Sequence, residues 1–319
     1  MYYIGVDLGG TNIAVGIVDK EGNILSEKSV KTLSDRPFDQ IVADMAACIK
    51  ELLSENGLTE NDLVSIGIGC PGNLDTENGR LVYANNFKHG VDVPLRSLMQ
   101  KYIDKPVYLG NDANVAALGE TIAGAAKGVK NAVMITLGTG VGGGIIIDGK
   151  IYEGQHSAGA EMGHVCIVKD GEHCSCGRNG CWEAYASATA LIRQAKEAME
   201  ENPDSKLWEL SKGGEVNGKI VFDAAKAGDK TAIDVVNKYI KYISVGVTNI
   251  ILIFQPEKLL IGGGISAQGD YIIKPIREYV KAHDYCKTEQ HTQIEAAALG
   301  NDAGIIGAAF LGKQFVTEA

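Results

Sequence analysis

The sequence predicts an α/β protein made of two related halves facing a shared ligand cleft, and three observations carry that prediction. The chain has 319 residues, about twice the size of an ordinary domain. Apolar runs of strand character are interspersed with stretches of helical periodicity, the mixture expected of α/β architecture. A short pattern also occurs twice: DLGGTNIAVGIVD from Asp7 to Asp19, and TLGTGVGGGIIID from Thr136 to Asp148. Both copies place Leu-Gly after a polar residue, then glycine and threonine, then an apolar strand closed by Asp. Such a repeat indicates that each copy opens one half.

Taken in chain order, Tyr2 to Leu8 and Ile13 to Asp19 read as strands around a glycine turn, and Glu21-Gly22-Asn23 turns the chain into a third strand through Val30. An amphipathic helix follows, from about Phe38 to Glu55. Val64 to Gly69 reads as a buried strand ending in Cys70-Pro71-Gly72, and Val107 to Gly110 as another that runs into Asn111-Asp112, where an alanine-rich helix begins. Past the second copy the chain is irregular from Ile151 to Glu183, then helical, with a long apolar helix from about Thr231 to Ile253. Lys258 to Ile261 forms a strand that ends in Gly262-Gly263-Gly264, and a helix follows. Asp302 to Leu311, apolar and rich in small residues, packs back onto the first half. The expected lobes are therefore 1–113 plus about 301–319, and 114–300. The polar stretch Glu200 to Gly218 carries no functional signal.

Composition narrows the function classes. With 45% hydrophobic and 22% charged residues, the chain is of ordinary globular make-up, and a net charge of −10 repels nucleic acid and anionic lipid. The first residues lack a basic stretch followed by an apolar one, and the longest apolar run, Ile243 to Phe254, is too short to span a bilayer. A cytoplasmic protein with neither membrane nor nucleic-acid partner is expected. There, seven cysteines stay reduced unless they hold metal.

The two glycine turns are candidate phosphate grips. Gly9, Gly10, Thr11 and Asn12 in one copy, and Gly138, Thr139 and Gly140 in the other, offer backbone N–H groups with little side chain in the way. The same residues would also serve as plain hairpin turns. Gly138-x-Gly140-x-x-Gly143 matches the dinucleotide fingerprint, but strand rather than helix follows it, and no Gly-Lys-Ser/Thr P-loop is present.

Between His164 and Cys181 lies the second chemical signal. His164, Cys174, Cys176 and Cys181 form the Cys3His set suited to tetrahedral zinc, and a Cys-x-Cys spacing resists disulfide closure. Four protein ligands make a closed site, so the zinc is structural. It would fix His164 in one tautomer and hold Glu161 and Glu183, which are otherwise ordinary solvated glutamates, on an irregular segment. Cys166 and His173 lie nearby without completing the set, while Cys48, Cys70 and Cys286 read as small apolar residues. The remaining candidate is Asp112, at a strand end, where it is either a helix N-cap or a catalytic carboxylate.

Asp7-x-Gly9-Gly10-Thr11, Asn111-Asp112, Glu161-x-Gly-His164 and Cys174-x-Cys176-Gly-x-x-Gly-Cys181-x-Glu183 together resemble the sugar kinases of the repressor, open reading frame and kinase (ROK) family, over essentially the whole chain. The resemblance implies a duplicated actin-like, ribonuclease H-like ATPase fold with ATP between its lobes. It further implies that Asn111 orients the sugar, that Asp112 accepts the hydroxyl proton, and that Glu161, Glu183 and the free nitrogen of His164 contact sugar hydroxyls. Gly72 would lie against the sugar, Asn86 would reach it too, and Gly262, Gly263 and Gly264 would approach the adenosine. Magnesium would bridge the phosphates through waters held by Asp7. The implied reaction phosphorylates a hexose 6-hydroxyl, that of glucose first, with fructose, allose, N-acetylmannosamine and N-acetylglucosamine as alternatives. Family members are commonly dimers, with tetramers also known. Some are sugar-responsive repressors, but those carry a helix-turn-helix ahead of the first strand, whereas here that strand begins at Tyr2 in an acidic chain.

Overall fold

The computed structural model describes residues 1–212, 215–286 and 292–314. Gly213 and Gly214 of the uninformative polar stretch, and the end of the first lobe at 315–319, lie outside the described residues.

The chain begins with three antiparallel strands, β1 (Tyr2–Leu8), β2 (Asn12–Val18) and β3 (Ile24–Lys31), followed by α1 (Phe38–Glu55). Strand β4 (Leu63–Cys70) then returns parallel to β1. Three short strands, β5 (Asn73–Asp75), β6 (Arg80–Tyr83) and β7 (Val91–Val93), form a separate antiparallel sheet that the sequence did not announce. Helix α2 (Leu95–Gln100), strand β8 (Val107–Asn111) and helix α3 (Asp112–Ile122) follow.

The second copy of the repeat is β9 (Ala132–Leu137) and β10 (Val141–Ile147), continued by β11 (Lys150–Ile151). Beyond the irregular stretch come α4 (Glu183–Ala186), α5 (Ala188–Glu201), α6 (Lys206–Leu210), α7 (Gly218–Lys226) and the long α8 (Lys230–Phe254). Strand β12 (Lys258–Gly262), helix α9 (Asp270–His283), strand β13 (Gln293–Ala296) and helix α10 (Asp302–Phe310) complete the chain. Among the described residues, no helix is long and apolar enough to cross a membrane.

The sheet orders are β3-β2-β1-β4-β8 and β11-β10-β9-β12-β13, which correspond position by position. The duplication visible in two glycine turns thus extends to whole sheets. By packing, residues 1–134, 144–160 and those from 297 onward form one compact unit, and 135–143 with 161–296 form another. The first unit reaches past the expected break after residue 113 because α3 packs along α10.

In the first unit, the alternation of β1 and β2 buries Ile4, Val6, Leu8, Ile13, Val15 and Ile17. Helix α1 covers β2 and β3 with Ile41, Met45, Ile49 and Leu52, the spacing of one helical face. Helix α10 lies on β1 and β4 so closely that a Cβ on Gly5 or Gly67 would overlap the carbonyl of Ile305 or Ala308. Glycine is required at both strand positions for that approach. Glu120, fully buried on α3, accepts N–H bonds from Ala125 (2.8 Å), Ala298 (2.9 Å) and Leu299 (2.8 Å), anchoring the chain as it enters α10. A buried carboxylate so satisfied is a structural tie.

Candidate active site

In the first unit, β1, β4 and β8 are parallel-connected neighbours whose carboxyl ends share one edge, with Asp7 opposite Gly69 and Cys70 opposite Asn111. This edge collects Asp7, Gly72, Asn111 and Asp112. Gly72 turns there with φ +101°, and its carbonyl accepts a 3.3 Å bond from Asn111 Nδ2. Asn111 is also the N-cap of α3, its Oδ1 accepting from the N–H groups of Ala113 (3.0 Å) and Asn114 (3.4 Å). Asn111 is therefore the cap of the helix, and Asp112, whose Oδ1 also accepts from Ala113 N–H (2.8 Å), is not needed in that role.

Asp7 feels the charge of Asp112. Burial, and then the charge of Asp112, raise Asp7 to about 6. Asp112 is also raised by burial, against the lowering effect of its 2.8 Å bond from Ala113 N–H. The residue is nevertheless exposed to solvent, so the group stays reachable. The Cys70 thiol beside them is held protonated by burial and by both negative charges.

The raised Asp7 has a consequence for stability. The folded chain retains this proton up to about pH 6, while a free carboxyl loses it near 3.8. Stability therefore falls as pH rises through that window, by about 3 kcal/mol in all. Asp7→Asn is expected to be more stable than the parent at pH 7 in metal-free buffer, the difference vanishing below pH 4. Denaturant melts at the two pH values test this, and equal stability at pH 7 would refute it.

At the first glycine turn, Gly9 N–H bonds Asn12 O at 3.0 Å. The hydroxyl of buried Thr32 donates to Gly9 O (2.7 Å), and its N–H to Thr11 O (3.0 Å). With the carbonyls tied back, the N–H groups of Gly10 and Thr11 have no acceptor among the described residues. Asn86 is exposed and packs against Gly10, at this turn. Thr32 carries no motif and was not anticipated.

The second unit repeats the device. Gly138 N–H bonds Gly140 O (3.0 Å), Thr189 Oγ1 donates to Thr139 O (2.8 Å), and the N–H groups of Thr139 and Gly140 lack acceptors among the described residues. The Gly262, Gly263 and Gly264 cluster joins this turn, since Gly263 (φ +81°) lies against the backbone of Leu137. A 3-10 turn, Gly264–Gln268, separates it from the expected helix α9.

His164, Cys174, Cys176 and Cys181 also meet in the second unit, their ligand atoms all within 4.8 Å of one another. Cys174 Sγ lies 3.6 Å from His164 Nδ1, and Cys176 Sγ 3.6 Å from Cys181 Sγ. Ligands at zinc bond lengths of about 2.0–2.3 Å in a tetrahedron are separated by roughly 3.4–3.8 Å, so the spacing fits zinc. Arg178 donates to the carbonyl of His164 and lies 4.0 Å from Cys181 Sγ, placing a cation beside the cysteine sulfurs. His164 turns Nδ1 toward the cluster, leaving Nε2 outward. Glu161 is exposed and its carboxylate has no partner among the described residues, whereas Glu183 Oε2 accepts from Val141 N–H at 2.9 Å. Cys166 is exposed and outside the set, Cys48 and Cys70 are buried, and Cys286 is half-buried.

The ROK family model matches residues 3–315. A glucokinase of Halalkalibacterium halodurans is 38% identical over 98% of this chain and 95% of its own length. One from Thermotoga maritima is 38% identical over 98% and 97%. The crystal structure of a ROK glucokinase from Streptomyces griseus, in complex with glucose and AMPPNP, superposes with a TM-score of 0.79 at 37% identity, covering 98% of this chain and all of that one. The duplicated sheets are accordingly those of the actin-like ATPase fold. With the family model and these full-length relatives in agreement, the chain belongs to the ROK family.

Proposed function

We propose that this protein is an ATP-dependent hexokinase that phosphorylates the 6-hydroxyl of glucose. The observation that carries the reading is the division of labour at this sheet edge: Asn111 caps α3 and bonds Gly72, and the adjoining Asp112, not needed as the cap, stands exposed. The names of the full-length relatives and the glucose and nucleotide analogue in the Streptomyces griseus structure support it.

In the reaction, the hexose 6-oxygen bonds to the γ-phosphorus as the bond from that phosphorus to the β,γ-bridging oxygen breaks and ADP leaves, while Asp112 accepts the hydroxyl proton. Because phosphoryl transfer passes through a loose transition state, positioning and charge neutralisation dominate. Asn111 has one amide hydrogen left after its bond to Gly72 and directs it to the sugar. Glu161, Glu183 and His164 Nε2 take other hydroxyls. The free N–H groups of Gly10, Thr11, Thr139 and Gly140 receive phosphate oxygens. Asp7, a carboxylate raised by burial and then by the charge of Asp112, suits a hard cation; it would hold magnesium, which would supply charge neutralisation for the phosphates. The Cys3His cluster holds structural zinc, which fixes the segment carrying Glu161 and Glu183.

A coupled assay of ADP release over glucose, fructose, allose, N-acetylmannosamine and N-acetylglucosamine tests the reading. The expected result is sugar-dependent ATP consumption with the highest kcat/KM for glucose. No sugar-dependent turnover with any of the five would refute the kinase reading, and a preference for another would reassign the substrate.

A further inference from the structure

Three bonds sew the turn 138–141 to the residues that directly follow Cys181. Ala188 N–H donates to Gly138 O at 2.8 Å, Thr189 Oγ1 to Thr139 O at 2.8 Å, and Val141 N–H to Glu183 Oε2 at 2.9 Å. A trans peptide is planar, so its C=O and N–H point in opposite directions. Pinning the carbonyl of Gly138 therefore aims the N–H of Thr139, and pinning that of Thr139 aims the N–H of Gly140. Those are the two donors of this turn that lack an acceptor among the described residues. Thr32 acts likewise on the first turn, where its hold on Gly9 O aims the N–H of Gly10.

Glu183 adds a link. One oxygen holds Val141 N–H, and the other faces Ser175 Oγ (3.5 Å) and Cys174 Sγ (3.8 Å). Together with Thr139, Thr189 and Arg193, these residues line a cavity of about 520 Å³. One carboxylate thus touches the phosphate turn and the metal-ligand segment at once.

We propose that Glu183 and Thr189 are positioning residues for the nucleotide, and that Glu183, by also binding a sugar hydroxyl, makes the occupancy of one substrate felt by the other. This rests on the kinase reading above. Coupling of this kind is reciprocal: sugar tightens nucleotide by the factor by which nucleotide tightens sugar.

The test is calorimetric titration of magnesium with a non-hydrolysable ATP analogue, with and without glucose, on the parent, Thr189→Val, Glu183→Gln and Glu183→Ala, with zinc content measured on each. Thr189→Val keeps shape and touches no metal ligand; it should weaken the analogue about five- to tenfold, the worth of one lost hydrogen bond, and leave glucose affinity unchanged. Glu183→Ala should weaken both ligands and erase the mutual tightening. Glu183→Gln, whose amide oxygen can still accept from Val141, should hold the analogue within about threefold of the parent while glucose binding falls. Parent-like analogue affinity in both Thr189→Val and Glu183→Ala would overturn the proposal. Failure of the parent to bind the analogue at all would instead refute the kinase reading.

Discussion

Asp112→Asn should cut turnover by about 10²–10⁴-fold while leaving glucose affinity within a few-fold of the parent. The substitution is nearly isosteric, and the helix it opens does not depend on it, because Asn111 supplies the cap. An amide cannot accept the hydroxyl proton, so the loss falls on the chemical step. Single-turnover kinetics with a separate measurement of sugar binding isolates that step. Unchanged turnover would remove Asp112 from the reaction. A loss confined to sugar binding would recast it as a binding group.

Removal of the cluster should have a comparable effect by another route. Structural zinc in small sites contributes about 10–16 kcal/mol of apparent binding energy, and the stretch from Glu161 to Glu183 has little regular structure beyond a short 3-10 turn and isolated bridges. Cys181→Ser is expected to abolish zinc retention, which elemental analysis would record as a fall from one ion per chain. Hexose phosphorylation should drop at least about a hundredfold, since the segment that presents Glu161, His164 and Glu183 loses its brace. Purified parent protein that is fully active without zinc would rule out this role.

Much of this site could be read from residue order because its parts are local. The two glycine turns are contiguous stretches, and the cysteines and histidine fall within one short segment, so each carries its own pattern. Asn111-Asp112 posed a genuine ambiguity, since either residue suits a helix N-cap; only the hydrogen bonds assign the cap to Asn111. Thr32 and Thr189 were not legible. Each acts through one side-chain bond to a carbonyl 23 or 50 positions away, and a threonine at such a distance leaves no trace in periodicity. Helix α1 was readable over its full length because its apolar stripe is unbroken, whereas β5 and β7 have three residues each and leave Asn73, Val91 and Asp92 exposed, too short for alternation to register. Glu120 looked like any helix glutamate. Its three partners come from the turn just beyond its own helix and from a segment some 180 residues on.

Helix α10 bears on how the molecule is made. The sheet on which it rests ends in sequence at Asn111, yet α10 begins only at Asp302, after the whole second half of the chain. Until that helix docks, Gly5 and Gly67 front a bare groove with no side chains of their own to shield it. Closing this sheet thus brings the two ends of the chain together, a long-range contact of the kind expected to slow folding.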